Sequence, residues 1–125
     1  MPSRYFVRPS DLTPYSPANH VGTTNLRMIG ADNVGARNIE MIHGTVEPGQ
    51  GALPHAHPGI EQVVYVLEGK ARAEVAGESA EVGPGDVCYF PPDIPHVFTA
   101  IGDQLVKVLV IYTPPYEENP ARAIR

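Results

Sequence analysis

The stretch that decides the fold runs from Gly49 to Gly69, GQGALPHAHPGIEQVVYVLEG. Its second half, Gln62 to Leu67, is a short β-rich run, and Gly69 marks a tight turn after it. Its first half holds His55-Ala56-His57 between Pro54 and Pro58. Histidines at i and i+2 of an extended chain point to one face, where both imidazoles can reach a single ion about 2.0 to 2.2 Å from each nitrogen. That spacing is a chelate by geometry.

Downstream lies Gly85 to Ala100, GDVCYFPPDIPHVFTA, with a third histidine, His96, at the start of another β-rich run. A third imidazole from a separate strand completes a facial set and leaves coordination positions open for water or substrate. Further short runs, Asn38 to Val46, Ala71 to Val75, Asp86 to Phe90, His96 to Ala100 and Leu105 to Tyr112, are separated by Gly and Pro punctuation. Glu47-Pro48-Gly49, Glu68-Gly69, Ala76-Gly77-Glu78 and Gly83-Pro84-Gly85-Asp86 read as turns between strands. No segment carries a 3.6-residue period, so the expected class is all-β, an antiparallel sandwich or barrel.

Both histidine stretches resemble the two motifs of the cupin superfamily. The first motif is a Gly, five residues, His-x-His, three or four residues, Glu, six residues and Gly. Gly49, His55, His57 and Gly69 fall on it. The second is a Gly, five residues, Pro, any residue, Gly, two residues, His, three residues and Asn. Gly85, Pro91 and His96 match, while Asp93 stands for the second Gly and Ala100 for the Asn. The resemblance implies an antiparallel jelly-roll barrel (a double-stranded β-helix) of six to eight strands, with both motifs at one mouth. It also implies one divalent metal ion on His55, His57 and His96, and a homodimer formed through an edge strand or the N-terminal arm.

The family's glutamate ligand falls on Glu61 with one spacing and on Gln62 with the other. A two-residue hairpin turn at Glu68-Gly69 would pair Val66 with Ala71, Val64 with Ala73 and Gln62 with Val75. Gln62 then shares the apolar inner face, and Glu61 lies outside with Tyr65, Leu67, Lys70, Arg72 and Glu74. Gln62 is therefore read as the fourth ligand and Glu61 as a solvated carboxylate. Three imidazoles and an amide leave the charge of an ion uncompensated, which acidifies bound water and attracts anions. Such a donor set favours Zn, Ni, Fe, Mn or Cu over Mg or Ca. Cupins that open or ketonise unsaturated uronates are similar in carrying Gln there, which implies a small acidic sugar derivative.

His43 is a candidate general base if Met41, His43 and Thr45 face inward, and a structural histidine if Ile42, Gly44 and Val46 do. His20 is read as a surface residue. Arg27 is a candidate partner for a substrate carboxylate, and Tyr89 and Phe98 are candidate pocket walls. Cys88, the single cysteine, sits in the apolar run Val87-Cys88-Tyr89-Phe90 and reads as a buried inert thiol.

The 125 residues suit one domain, 1–125, with a core of about 36–113 between irregular arms rich in proline. A formal charge of -5 with no basic cluster argues against nucleic acid, and no apolar run approaches a membrane span or a secretory signal. The expected setting is cytoplasmic. Function is read as a metal-dependent enzyme on a small anionic or polyhydroxylated molecule, of isomerase/lyase or dioxygenase type. The alternative is a non-catalytic small-ligand-binding or sensing module.

Overall fold

The computed structural model describes residues 5–17, 20–52 and 54–116, the side chains of His20, Val21 and Ala52 excepted. Eight strands follow a short 3-10 turn at Pro9–Asp11: β1 (His20–Ile29), β2 (Glu40–Ala52), β3 (Glu61–Glu68), β4 (Lys70–Val75), β5 (Glu78–Val82), β6 (Val87–Phe90), β7 (His96–Ile101) and β8 (Val106–Thr113). They form one rolled antiparallel sheet in the order β5-β4-β7-β2-β8-β3-β6, with β1 paired to β2. It is a nearly closed barrel, as the Gly- and Pro-punctuated pattern of short strands led one to expect.

Period-2 alternation places the core. Along β3, Gln62, Val64 and Val66 are buried while Glu61, Tyr65 and Glu68 are exposed, and along β4 Ala71 and Ala73 are buried between exposed Lys70, Arg72 and Glu74. One apolar cluster gathers Val46, Val64, Val66, Ala71, Ala73, Cys88, Phe90, Ala100, Val106 and Val108; a second holds Ile42, Ile60, Tyr112 and Tyr116. Each fully buried aliphatic side chain contributes about 1.5–3 kcal/mol.

Three local expectations are corrected. First, β3 and β4 do not form a hairpin: β3 pairs with β6 and β8, and β4 with β5 and β7. Gln62 therefore pairs with Phe90 and Tyr112 rather than with Val75. Gly69, at φ +82°, carries the chain past the start of β8, and a Cβ there would lie 2.5 Å from the Leu105 carbonyl oxygen. Only glycine permits so close a crossing. The hairpin register that would turn Gln62 inward does not exist, yet Gln62, Val64 and Val66 are buried together, because strand period alone puts all three on one face.

Second, Glu47-Pro48-Gly49 lies inside β2, where the strand passes from pairing with β8 to pairing with β7 at Gly51. A Cβ on Gly51 would fall 2.3 Å from the Phe98 carbonyl oxygen, so this crossing too is backbone on backbone. Third, β1 occupies a stretch read as irregular. Its Thr23, Thr24 and Asn25 give no apolar alternation, and the strand forms because β2 offers a free edge along much of its length. The side chain of His20, and the arm residues 1–4 and 117–125, lie outside the described residues.

Candidate metal centre

The three motif histidines converge. His55 and His96 face each other across an isolated antiparallel bridge, with His55 N–H donating to the His96 carbonyl at 3.2 Å and the reverse bond at 2.8 Å. Directly opposed residues project to the same face, and His57 follows two positions on. Ring centroids are 4.6 Å apart for His55 and His96, 4.8 Å for His55 and His57, and 5.2 Å for His57 and His96. One nitrogen from each ring lies within 4.8 Å of the others, so the three could hold one ion. All three side chains are buried.

The chain after His57 is held in place by the second motif. The His57 carbonyl accepts from the Asp93 N–H at 3.1 Å, and Asp93 Oδ1 accepts from the Gly59 N–H at 3.1 Å. Asp93 sits at φ +66°, the left-handed region that a glycine would enter without strain. Its side-chain bond to Gly59 offsets that strain, which explains an aspartate at this motif position. Ala100, where the family pattern has Asn, is fully buried and pairs with Ala71 in the apolar cluster.

Aromatic rings fix two of the imidazoles. Phe90 stacks on His96 at 4.2 Å with an interplanar angle of 2°. Tyr116 lies 4.5 Å from His57, and Tyr112 approaches the same ring edge-on at 5.6 Å. Sequence reasoning missed all three. Phe90 had a signal, being an inward β6 residue at the edge of the second motif, whereas Tyr116 lies in the stretch read as an arm.

Gln62 is 7% exposed, and its Oε1 has no hydrogen-bond partner among the described residues. An orphaned buried carbonyl costs about 1–3 kcal/mol, and a cation is the kind of partner it lacks. Three imidazoles that could hold one ion suit a divalent transition metal, and Gln62 pairs on the strand with Phe90, which stacks on His96. Glu61, by contrast, is exposed and accepts the Tyr89 hydroxyl at 2.5 Å, a bond that raises the Tyr89 pKa above the ordinary phenol value.

The remaining candidates lie elsewhere. Ile42, Gly44 and Val46 face inward, so half-buried His43 is on the opposite face, between Leu26 of β1 and Leu109 of β8. Arg27 is engaged by buried Glu40, Nε to Oε2 at 2.5 Å, and the other Glu40 oxygen accepts the Tyr116 N–H at 2.9 Å. Arg27 thus anchors the segment that covers His57. Phe98 packs against the main cluster. Burial pushes the Cys88 thiol up, with Asp86 adding to the shift, as suits an inert buried thiol.

Comparison with known proteins agrees with this geometry. The family model described as Cupin domain matches residues 42–112. An uncharacterized protein of Methanocaldococcus jannaschii is 38% identical over 63% of this chain and 63% of its own length. The polyketide synthase CurC of Streptomyces cyaneus is 30% identical over 70% of this chain and 56% of its own, so the matches span about half to two thirds of these relatives. Among solved structures, the polyketide cyclase RemF of Streptomyces resistomycificus superposes with a TM-score of 0.75 at 27% identity, covering 88% of this chain and 79% of that one. No helix among the described residues is long and apolar enough to cross a membrane.

Proposed function

Since the chain belongs to the cupin family, we propose that it is a metal-dependent enzyme acting on a small oxygen-donor molecule, anionic or polyhydroxylated, by isomerase or lyase chemistry. The observation that carries this reading is the convergence of three buried imidazoles, supported by a buried Gln62 amide oxygen with no hydrogen-bond partner among the described residues. His55, His57 and His96 would hold the ion with Gln62 as fourth ligand. A bound divalent ion supplies Lewis-acid polarisation of a carbonyl or enol oxygen.

The chain's own residues do the rest. With no carboxylate in the ligand set, the centre keeps the ion's full charge and so draws an anionic donor. Phe90 holds the His96 ring plane, and Tyr112 and Tyr116 keep water from the His57 side. The names of two relatives, a polyketide synthase and a polyketide cyclase, support an organic substrate of modest size. The same reading takes 1–125 as one cytoplasmic domain working as a homodimer. Exposed Tyr65, Val87 and Tyr89, registered side by side on β3 and β6, support a covered outer face.

Elemental analysis of protein purified without an affinity tag and reconstituted with Zn, Ni, Fe or Mn is expected to find about one ion per chain. Retention of none of these metals removes the proposal. Turnover of an unsaturated uronate without oxygen uptake would select isomerase or lyase chemistry, and metal-dependent oxygen uptake would select the dioxygenase alternative. Tight binding of one small molecule without turnover across such a screen would favour a sensor.

A further inference from the structure

The rolled sheet does not close fully, and its two end strands leave a gap with a defined chemistry. Between β4–β5 on one side and β6 on the other lies a cavity of about 230 Å³. Ala73, Val75, Val82 and Cys88 line it from the inner face, exposed Val87 and Tyr89 line it from β6, and Ser79 and Glu78, the single charged residue, are its polar groups among the described lining. The walls are mostly apolar, and the exposure of Glu78, Ser79, Val87 and Tyr89 leaves the space open to solvent on one side.

No histidine lines this cavity, but two of its lining residues adjoin the histidine centre. Val75 is the directly paired neighbour of His96 across the β4–β7 ladder, so the two side chains share the inner face about 5 Å apart at Cβ. Cys88 lies two positions before Phe90 on β6, on the same face as the ring stacked on His96. Cys88 is also the strand partner of Val64, two positions from Gln62. Whatever occupies the seam therefore lies beside Val75 and Cys88, which adjoin His96 and Phe90 on the inner face.

Size and polarity narrow the occupant. A dry apolar cavity of about 150 Å³ admits a benzene ring. The seam is larger than that, offers no cation to a carboxylate, and presents Glu78 against one. A hydroxyl-rich sugar would find polar partners only at Glu78 and Ser79, against walls that are otherwise alanine, valine, cysteine and tyrosine. We propose that the seam cavity receives a single uncharged six-membered carbon ring of the ligand, whose oxygen donors face His55, His57 and His96. The inference rests on the metal reading above and turns its substrate class toward ring-bearing hydroxy or keto acids and away from sugar acids.

Two acids with the same donor group separate these cases: mandelate carries a phenyl ring where lactate carries a methyl. The metal content of zinc-loaded protein is measured first, and both affinities are then determined by calorimetry. Mandelate is expected to bind at least about tenfold more tightly than lactate, as ring burial requires. Cys88→Leu, which fills the cavity, is expected to remove most of that advantage. Equal affinities in the unaltered zinc-loaded protein overturn the proposal whether or not the variant folds. Failure of both acids to bind zinc-loaded protein overturns it as well, with the metal reading intact. Failure to retain zinc overturns the metal reading itself.

Discussion

At the scale of single residues the sharpest contrast is between neighbours of opposite orientation. Gln62 is buried with an Oε1 that has no hydrogen-bond partner among the described residues, while Glu61 is exposed and satisfied by Tyr89. Gln62→Ala is expected to weaken zinc binding by roughly 10- to 100-fold, the range for a disturbed metal shell, and Glu61→Ala to leave it unchanged. A competition titration against a chelator reads both. Gln62→Glu should bind at least as tightly, because a carboxylate neutralises part of the ion's charge. Glu40 poses a different case. Its carboxylate is 1% exposed and engages both Arg27 and the Tyr116 N–H. Glu40→Ala strands a guanidinium that is itself partly exposed, so the expected loss is on the order of 2–3 kcal/mol in urea unfolding. The same variant should loosen the packing of Tyr116 on His57, detectable as altered tyrosine fluorescence.

At the scale of elements, the placement of the ligands depends on a few crossings. The His55–His96 bridge joins the two motifs, and Asp93 ties the loop after His57 to the loop before β7. Asp93→Gly is expected to relieve the left-handed strain yet lose the bond to Gly59, leaving stability within about 1 kcal/mol of the parent. Gly69→Ala has no such compensation. It combines φ +82° with a Cβ 2.5 Å from backbone oxygen, and it is expected to lower stability by about 2 kcal/mol or more, read as a shifted urea midpoint. A neutral result would mean that the Gly69 turn and the start of β8 adjust their crossing freely.

At the scale of the whole molecule, the barrel core is built by strands, and the three histidines touch its two apolar clusters through Phe90 and Tyr116, so a bound ion would add to a fold that already stands. Zinc at about 100 times its dissociation constant is expected to add about 2.7 kcal/mol, a rise in Tm on the order of 10 °C that a chelator reverses. His57→Ala should abolish that rise while keeping a cooperative transition; its global unfolding would make the ion structural. The sequence by itself determined the all-β class, the strand cores from β2 to β4 and β6 to β8, the meeting of three histidines and the inward side of Gln62. These are local matters of period and spacing. Only the tertiary structure decided that β3 pairs with β6 and β8 and not with β4, that polar β1 completes the sheet, that His43 faces away, and that Phe90 and Tyr116 frame the imidazoles. Alternation with period two states which face a side chain takes, but it is silent on which strand lies alongside. That is settled by packing among segments distant in sequence, through contacts such as Gly69 against Leu105 that no local pattern encodes.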